Sequence, residues 1–168
     1  NFTSNTSYLN FHNLLGFSMF IKILCATDLN TTSNEAVKKA VQLAHQYNSK
    51  IIMLNVHEEF MTKEEMGMLR VSIDTMKLEF EKTALKAKKE MSEVINILHA
   101  DDIQVEYIIK EGKSSLVICE EANRMQADLI IMGVSEKNIV SNFIFRSTAS
   151  FVIEHVEIPV LVVPLKDK

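Results

Sequence analysis

The apolar run that ends at Gly133 constrains the fold more than any other feature of the chain. Residues 129–132 are all apolar, so a strand made from them leaves no polar face and must be covered on both sides. A polar loop follows Gly133, and residues 140–154 then have a helical pattern. A strand, a glycine turn and a helix in this order form the edge at which an open α/β sheet usually binds its ligand.

Similar apolar runs alternate with helical patterns along the chain after residue 19. The predicted strands cover residues 20–27, 51–56, 103–109, 129–132 and 160–163, and the predicted helices cover residues 36–44, 62–99, 116–125 and 140–154. This alternation predicts a three-layer α/β/α fold with a parallel sheet between the helices. Pro159 and Pro164 enclose the last strand, which indicates an edge position, because a central strand cannot lose its backbone donors.

Polar residues before three of the helices are candidate caps. Thr32 with Glu35 forms a capping box, and Thr62 is placed to cap the long amphipathic helix. After the turn glycine Gly112, either Ser114 or Ser115 is expected to cap the next helix. Although residues 112–114 resemble the end of a phosphate-binding P-loop, the glycine that this motif needs five residues earlier is absent.

Composition excludes several classes of function. The 168 residues suit one domain, and the net charge of −4, with Lys and Arg spread along the chain, gives no footprint for nucleic acid or for a membrane surface. No apolar run reaches the roughly 18 residues that a membrane span requires. Cys25 lies in an apolar run and Cys119 in a helical pattern, and both are expected to be buried thiols rather than a disulfide, which suits a reducing, cytoplasmic location.

The first 18 residues differ from the rest of the chain. They are rich in Asn, Ser and Thr, contain scattered aromatic residues and carry no charge. We expect Met19 to be the natural start, so that residues 1–18 are an artificial leader or an upstream extension. The predicted domain then covers residues 19–168.

No catalytic or metal-binding constellation is visible in the sequence. The five histidines lack metal-ligand spacing, and no nucleophile elbow of the form Gly-x-Ser-x-Gly occurs. Residues 57–59, His-Glu-Glu, are expected at the carboxyl edge of the sheet, where a solvated loop is the simpler interpretation. We therefore expect no catalytic residues, no metal site and no enzymatic activity.

From Met19 to Leu165 the chain resembles a universal stress protein domain. The residues that carry the resemblance are Ala26, Thr27 and Asp28 at the end of strand one, Ser33, Ala36 and Ala40, Gly112 with Ile118 and Ala122, residues 127–133, and residues 158–164. The resemblance implies a five-stranded parallel sheet of order 3-2-1-4-5, of the Rossmann-like type found in adenine nucleotide alpha hydrolases. It also implies a homodimer through the strand at residues 160–163, which would cover a valine-rich edge that is otherwise a pairing hazard.

ATP-binding members of that family share a glycine pattern that is altered here. Laid on this chain, the pattern begins at Gly133 and ends at Ser147, but Glu136 and Arg146 replace its other two glycines. Glycines let backbone amides approach phosphate oxygens closely. At ~4 Å, a carboxylate and a phosphate repel by about 1 kcal/mol in water and about 4 kcal/mol at an effective dielectric of 20. The attraction between an anion and a helix N-terminus contributes only about 0.3–1 kcal/mol, which does not offset this repulsion. Weak or absent ATP binding is therefore predicted.

Two hypotheses follow from the resemblance. The first is a non-enzymatic, cytoplasmic stress-response dimer that needs no cofactor. The second is a sensor that binds ATP or AMP through the altered loop. The resemblance gives seven candidate binding residues for that case: Asp28, Val56, Met132, Gly133, Lys137, Arg146 and Ser147. An ATP-splitting enzyme is the weakest reading, because residues 28–31, Asp-Leu-Asn-Thr, replace the glycine-serine loop that such enzymes carry.

Overall fold

The computed structural model describes residues 19–30, 34–58, 72–135 and 147–165. Predictions for the leader, for the caps Thr32 and Thr62, and for the loop residues Glu136, Lys137 and Arg146 lie outside the described residues. The described elements are β1 (Lys22–Ala26), α1 (Asn34–Tyr47), β2 (Lys50–His57), α2 (Ile73–Ile97), β3 (Val105–Glu111), α3 (Ser114–Arg124), β4 (Leu129–Ser135), α4 (Thr148–His155) and β5 (Val160–Leu165).

The five strands form one parallel sheet in the order β3-β2-β1-β4-β5. In the centre of the sheet, Cys25 lies opposite Met53 of β2 and Ile131 of β4. The predicted fold class and strand order are confirmed. β5 lies at one edge, as its two prolines predicted.

Each face of the sheet has its own apolar core, because successive side chains of a strand point to opposite faces. Ile23 and Cys25 of β1 contribute to the core under α1 and α2, whereas Leu24 and Ala26 contribute to the core under α3 and α4. The small residues Ala36, Val37, Ala40, Val41 and Ala44 form the buried face of α1. This two-sided burial explains why the central strands are apolar throughout.

Strand β3 begins two residues later than predicted. Ile103 belongs instead to the turn after α2, where its backbone N–H donates to the Ala100 carbonyl at 3.1 Å. Pairing with β2 starts at Val105, which lies opposite Ile51. The apolar character of Ile103 reflects packing against the core rather than strand pairing.

The helix caps differ from the prediction at α3. Its N-cap is Lys113, with no side-chain cap, so the predicted cap by Ser114 or Ser115 is wrong. Instead, the Ser114 hydroxyl donates to the Glu58 carboxylate at 3.2 Å. The described part of the long helix α2 starts at Ile73, and Ser72 is its N-cap. Ser147 is the N-cap of α4. The described residues of α4 begin at Thr148, eight positions after the predicted start at Val140.

Both cysteines are unpaired, as predicted, but only Cys25 is buried, whereas Cys119 is partly exposed. Burial raises the pKa of the Cys25 thiol to about 12 and also raises the pKa of the Cys119 thiol. Among the helices that the structure describes, none combines the length and the apolar composition needed to cross a membrane.

Candidate functional site

The sheet has a crevice where the carboxyl ends of β1 and β4 lie side by side. β1 leads to α1 on one face, and α4, which follows β4 along the chain, packs on the other face. Because the helices that follow these two strands pack on opposite faces of the sheet, the strand ends meet at a topological switch point. Open α/β sheets bind ligands at such a switch point.

A solvent-open cleft occupies this switch point and is here called the strand-edge cleft. It encloses about 180 Å³. Its lining residues are Ala26, Thr27, Asp28, Leu54, Val56, Ser114, Ile118, Met132, Gly133 and Thr148. Pockets for whole drug-sized ligands measure roughly 300–1,000 Å³, so the described walls fit a nucleoside-sized group better than a whole nucleoside triphosphate.

Hydrogen bonds from β2 fix the end of β1 beside this cleft. The buried Asn55 amide donates to the Thr27 carbonyl at 2.9 Å, and the Thr27 N–H donates to the Leu54 carbonyl at 2.9 Å. Leu29 then takes a positive φ of 64°, and its N–H donates to the Thr27 hydroxyl at 3.2 Å. These contacts turn the chain sharply after the strand and leave Asp28 on the cleft wall.

The Asp28 carboxylate is engaged in its own turn. One oxygen accepts the Asn30 backbone N–H at 3.1 Å, and the other accepts the Asn30 side-chain amide at 2.9 Å. Short acidic side chains commonly stabilise turns in this way. Each carboxylate oxygen retains acceptor capacity, so the turn and a ligand can be served by the same side chain.

The structure brings together four of the seven candidate binding residues. Asp28, Val56, Met132 and Gly133 all line the strand-edge cleft. Ser147 lies beside it as the cap of α4, where its hydroxyl accepts the Ser150 N–H at 3.2 Å. Whether these residues bind a nucleotide stays a prediction.

Sequence reasoning missed the helical wall of the cleft. Ser114, Ile118 and Thr148 line it from α3 and α4, which both begin at the carboxyl edge of the sheet. A helix that returns the chain to a parallel strand must start at that edge. This rule was available from the predicted element order, and it places the first residues of each helix near the strand ends.

A second cleft lies between the N-terminal turns of α3 and α4 and is here called the α3–α4 cleft. It encloses about 410 Å³ and is lined by Glu58, Lys113, Ser115, Ser147, Thr148, Phe151 and Glu154. Thr148 therefore borders both clefts. The Lys113 ammonium lies 5.7 Å from the centre of the Phe151 ring, and the His155 ring stacks on Phe151 at a centroid distance of 3.8 Å.

Within the part of the chain that the structure describes, no group of three or more His, Cys, Asp or Glu side chains is arranged to hold a metal ion.

The amino-acid sequence is similar to a family model and to several known proteins. The family model described as "Universal stress protein family" matches residues 19–164. The chain is 30% identical over 151 residues to universal stress protein MJ0531 of Methanocaldococcus jannaschii, covering 88% of this chain and 84% of that protein. It is 26% identical over 146 residues to universal stress protein A of Escherichia coli (strain K12), covering 87% and 95%.

Solved structures show the same architecture. The hypothetical protein MJ0577 superposes with a TM-score of 0.69 at 27% identity, over 89% of this chain and 99% of that one. A universal stress protein in complex with cAMP gives a TM-score of 0.63 at 19% identity, over 88% and 98%. The universal stress protein from Archaeoglobus fulgidus in complex with dAMP gives 0.54 at 17% identity, over 86% and 98%. At these identities, the last two show a shared fold only.

Proposed function

Since the chain belongs to the universal stress protein family, we propose that it is a non-enzymatic stress-response protein of the cytoplasm that acts as a dimer and binds ATP weakly or not at all. The observation that carries the proposal is the replacement of two glycines by Glu136 and Arg146 in the loop after β4. Side chains at these positions obstruct the close approach of backbone amides to phosphate oxygens, and Glu136 adds a like charge.

The chemistry of the thiols supports a non-enzymatic role. Thiolates are the reactive form of cysteine, and a raised pKa keeps a thiol protonated at neutral pH. Burial raises the pKa of both Cys25 and Cys119, so neither is poised as a nucleophile.

The exposed edge of β5 supports the dimer. Its residues Val160, Leu161 and Val162 are apolar, and Leu161 is 37% exposed. An apolar edge strand pairs readily with another chain unless something covers it. A second copy related by a two-fold axis would cover the edge symmetrically and close the assembly.

A second candidate function, an adenine-nucleotide sensor, is favoured by the strand-edge cleft. The cleft gathers Asp28, Val56, Met132 and Gly133 at the switch point of the sheet, and its size suits a nucleoside. Structural neighbours with the same fold are described as complexes with cAMP and dAMP. On this hypothesis, Lys137, Arg146 and Ser147 would hold the phosphates in place of the missing glycine amides.

Titration calorimetry of the purified chain with ATP and Mg²⁺, AMP and adenosine separates the two functions. The first function predicts no heat with ATP, or only weak heat that does not saturate at millimolar concentration. Saturable binding of ATP or AMP in the micromolar range would instead establish the sensor.

The double change Glu136→Gly and Arg146→Gly tests the physical reason directly. If the two side chains obstruct the phosphates, ATP affinity should rise about fivefold or more, since the estimated repulsion is about 1–4 kcal/mol. The double variant removes one acid and one base, so its matched control for net charge is Lys89→Gln with Glu93→Gln, an exposed pair on α2, which should leave ATP affinity unchanged. Unchanged affinity in a folded double variant would place the obstacle elsewhere.

A further inference from the structure

The outward side of α2 carries a row of exposed side chains that takes no part in the core. The buried residues of this helix are Ala87, Met91 and Ile95. Leu78 precedes Ala87 by nine residues, which is two and a half turns, so it lies on the opposite side of the helix. Residues three or four positions apart are neighbours on a helix surface. Such steps connect Leu78 with other exposed residues in a row, here called the α2 row: Asp74, Leu78, Glu81, Lys82, Leu85 and Lys89.

The two leucines of the α2 row are largely exposed to solvent. Leu78 is 52% exposed and Leu85 is 70% exposed. Because they are seven residues apart, both face the same way and lie about 10 Å apart along the helix axis. Leucines that repeat at this spacing are the usual contacts between paired helices, where burial against another apolar side chain stabilises the pair.

The charged residues of the α2 row are complementary to their own reversed order. The two acids, Asp74 and Glu81, lie toward the start of the helix, and the two bases, Lys82 and Lys89, lie toward its end. The row is symmetric about the midpoint between Glu81 and Lys82, so each acid has a base at the same distance on the other side. A second α2 helix that runs in the opposite direction therefore brings a base opposite every acid of the row.

Both lysines of the α2 row can make a further contact. Lys82 Nζ lies 2.9 Å from a carboxylate oxygen of Glu79, and Lys89 Nζ lies 3.7 Å from one of Glu93. The two lysine side chains are nevertheless 61% and 79% exposed. An ammonium group has three donors, so each can contact an acid of its own helix and an acid of a second helix.

We propose that the α2 row is a contact surface between two copies of this chain, with their α2 helices antiparallel about a two-fold axis. Leu78 of each copy packs on Leu85 of the other, and each charged residue lies opposite one of the other sign. The two-fold axis repeats every contact. The row has equal numbers of acids and bases, so it favours a second copy over nucleic acid or an anionic membrane surface.

The size of the α2 row sets the strength of the contact. The row spans about 22 Å along the helix, whereas stable interfaces bury about 1,200–2,000 Å² in total. One face of so short a helix buries less, so association is expected at protein concentrations on the order of 0.1–1 mM. This contact uses no residue of β5 and does not depend on the proposed dimer.

Sedimentation equilibrium of the full chain tests the contact, with wild type and Leu161→Lys measured in parallel. Both should show an association step in the same concentration range, which joins dimers in the wild type and monomers in Leu161→Lys. A wild type that starts as a monomer and still shows this step would count against the β5 dimer but support the α2 contact. No association up to about 1 mM in either protein would overturn the proposal.

Charge reversal at the centre of the α2 row tests the antiparallel order. Glu81→Lys and Lys82→Glu should each weaken the association about fivefold or more, because each replaces two attractions by two repulsions. The double variant exchanges the two charges and should restore association to within about twofold of the wild type. Loss of structure cannot produce this recovery. Single variants that associate like the wild type, or a double variant as weak as the single ones, would overturn the proposal.

Leu78→Gln tests the apolar part of the contact and should also weaken association about fivefold or more. Its matched control is Ile97→Gln, which removes an exposed apolar side chain of α2 outside the row. Lys39→Glu on α1 is the control for charge reversal, since Lys39 is exposed. Both controls should associate like the wild type. Equal association of Leu78→Gln and the wild type would contradict the packing of the two leucines.

Discussion

Glu121 of α3 is the side chain whose charge should matter most for the stability of the fold. Its carboxylate is only 7% exposed and accepts three charged donors: Arg124 Nη2 at 2.6 Å, Arg124 Nε at 3.0 Å and Lys110 Nζ at 3.2 Å. The hydrogen bond from Arg124 contributes most to a lowered pKa of Glu121, and Lys110 lowers it further. Glu121→Gln keeps the shape and removes the charge.

The magnitude follows from the unequal burial of the partners. A hydrogen bond to a charged group contributes about 1.5–3 kcal/mol, whereas an exposed ion pair contributes about 0.2–1 kcal/mol. Here the acceptor is buried, but Lys110 and Arg124 are 44% and 57% exposed, which screens the attraction. We therefore expect Glu121→Gln to lower the free energy of unfolding by about 1–2 kcal/mol at pH 7, or the melting temperature by about 2–8 °C.

The pH dependence gives this prediction its sign. The pKa of Glu121 in the folded state is lower than in the unfolded chain, where the pKa of a Glu side chain is about 4.3. The stabilisation by the Glu121 charge is therefore fully present above about pH 4.3. It is lost as the pH falls through the folded pKa. The difference in unfolding free energy between wild type and Glu121→Gln should therefore shrink on acidification below about pH 4.

Urea unfolding of both proteins at pH 7 and at pH 3 measures this difference. Glu93→Gln is the control, because the Glu93 carboxylate is 56% exposed and its pair with Lys89 spans 3.7 Å. Its effect should stay within about 0.5 kcal/mol. No destabilisation by Glu121→Gln at pH 7, or an equal one at both pH values, would refute the reasoning.

Two further predictions concern the turn before α3 and the edge of the sheet. Gly112 has a φ of +131°, and a Cβ at this position would lie 3.2 Å from Val117 Cγ2. Gly112→Ala should therefore lower the free energy of unfolding, measured by urea titration, by about 1–3 kcal/mol. An unchanged free energy of unfolding would show that the turn relaxes without cost. Leu161→Lys should shift the chain from dimer to monomer in sedimentation velocity, because the charge is buried in a β5 pair, whereas Ile97→Lys on the exposed end of α2 should not. Monomeric wild-type protein, or a dimer that survives Leu161→Lys, would count against pairing through β5.

The central strands could be predicted from the sequence because a strand that is buried on both faces must be apolar at every position. β1, β2 and β4 are covered on both faces, so their apolar runs can be recognised without knowing the neighbours. The boundary of β3 was not predictable in the same way. Ile103 is apolar because it packs against the core, and only the turn after α2 decides that it stays outside the strand.

The caps and the walls of the clefts depend on contacts between distant residues. The sequence favours Ser114 as a cap, but its hydroxyl donates instead to the carboxylate of Glu58, which lies 56 residues earlier in the chain. The turn at Gly112, held by its N–H donating to the His57 carbonyl at 3.0 Å, places Lys113 at the cap position instead. Asp28 was found by sequence because its position follows from the end of β1. The predicted turn at Gly133 is wrong, because β4 continues to Ser135 and Gly133 pairs with Val163 of β5.

The parallel sheet explains why two helices begin beside each other at the same edge. Since all five strands run in one direction, α3 and α4 both begin at the carboxyl edge, and their N-terminal partial charges lie beside the strand ends. In the sequence, Glu136 and Arg146 fall between β4 and α4, whereas Lys113 and Ser115 belong to the start of α3. On the proposed function, the side chains of Glu136 and Arg146 therefore act before α4 and leave the start of α3 unaffected.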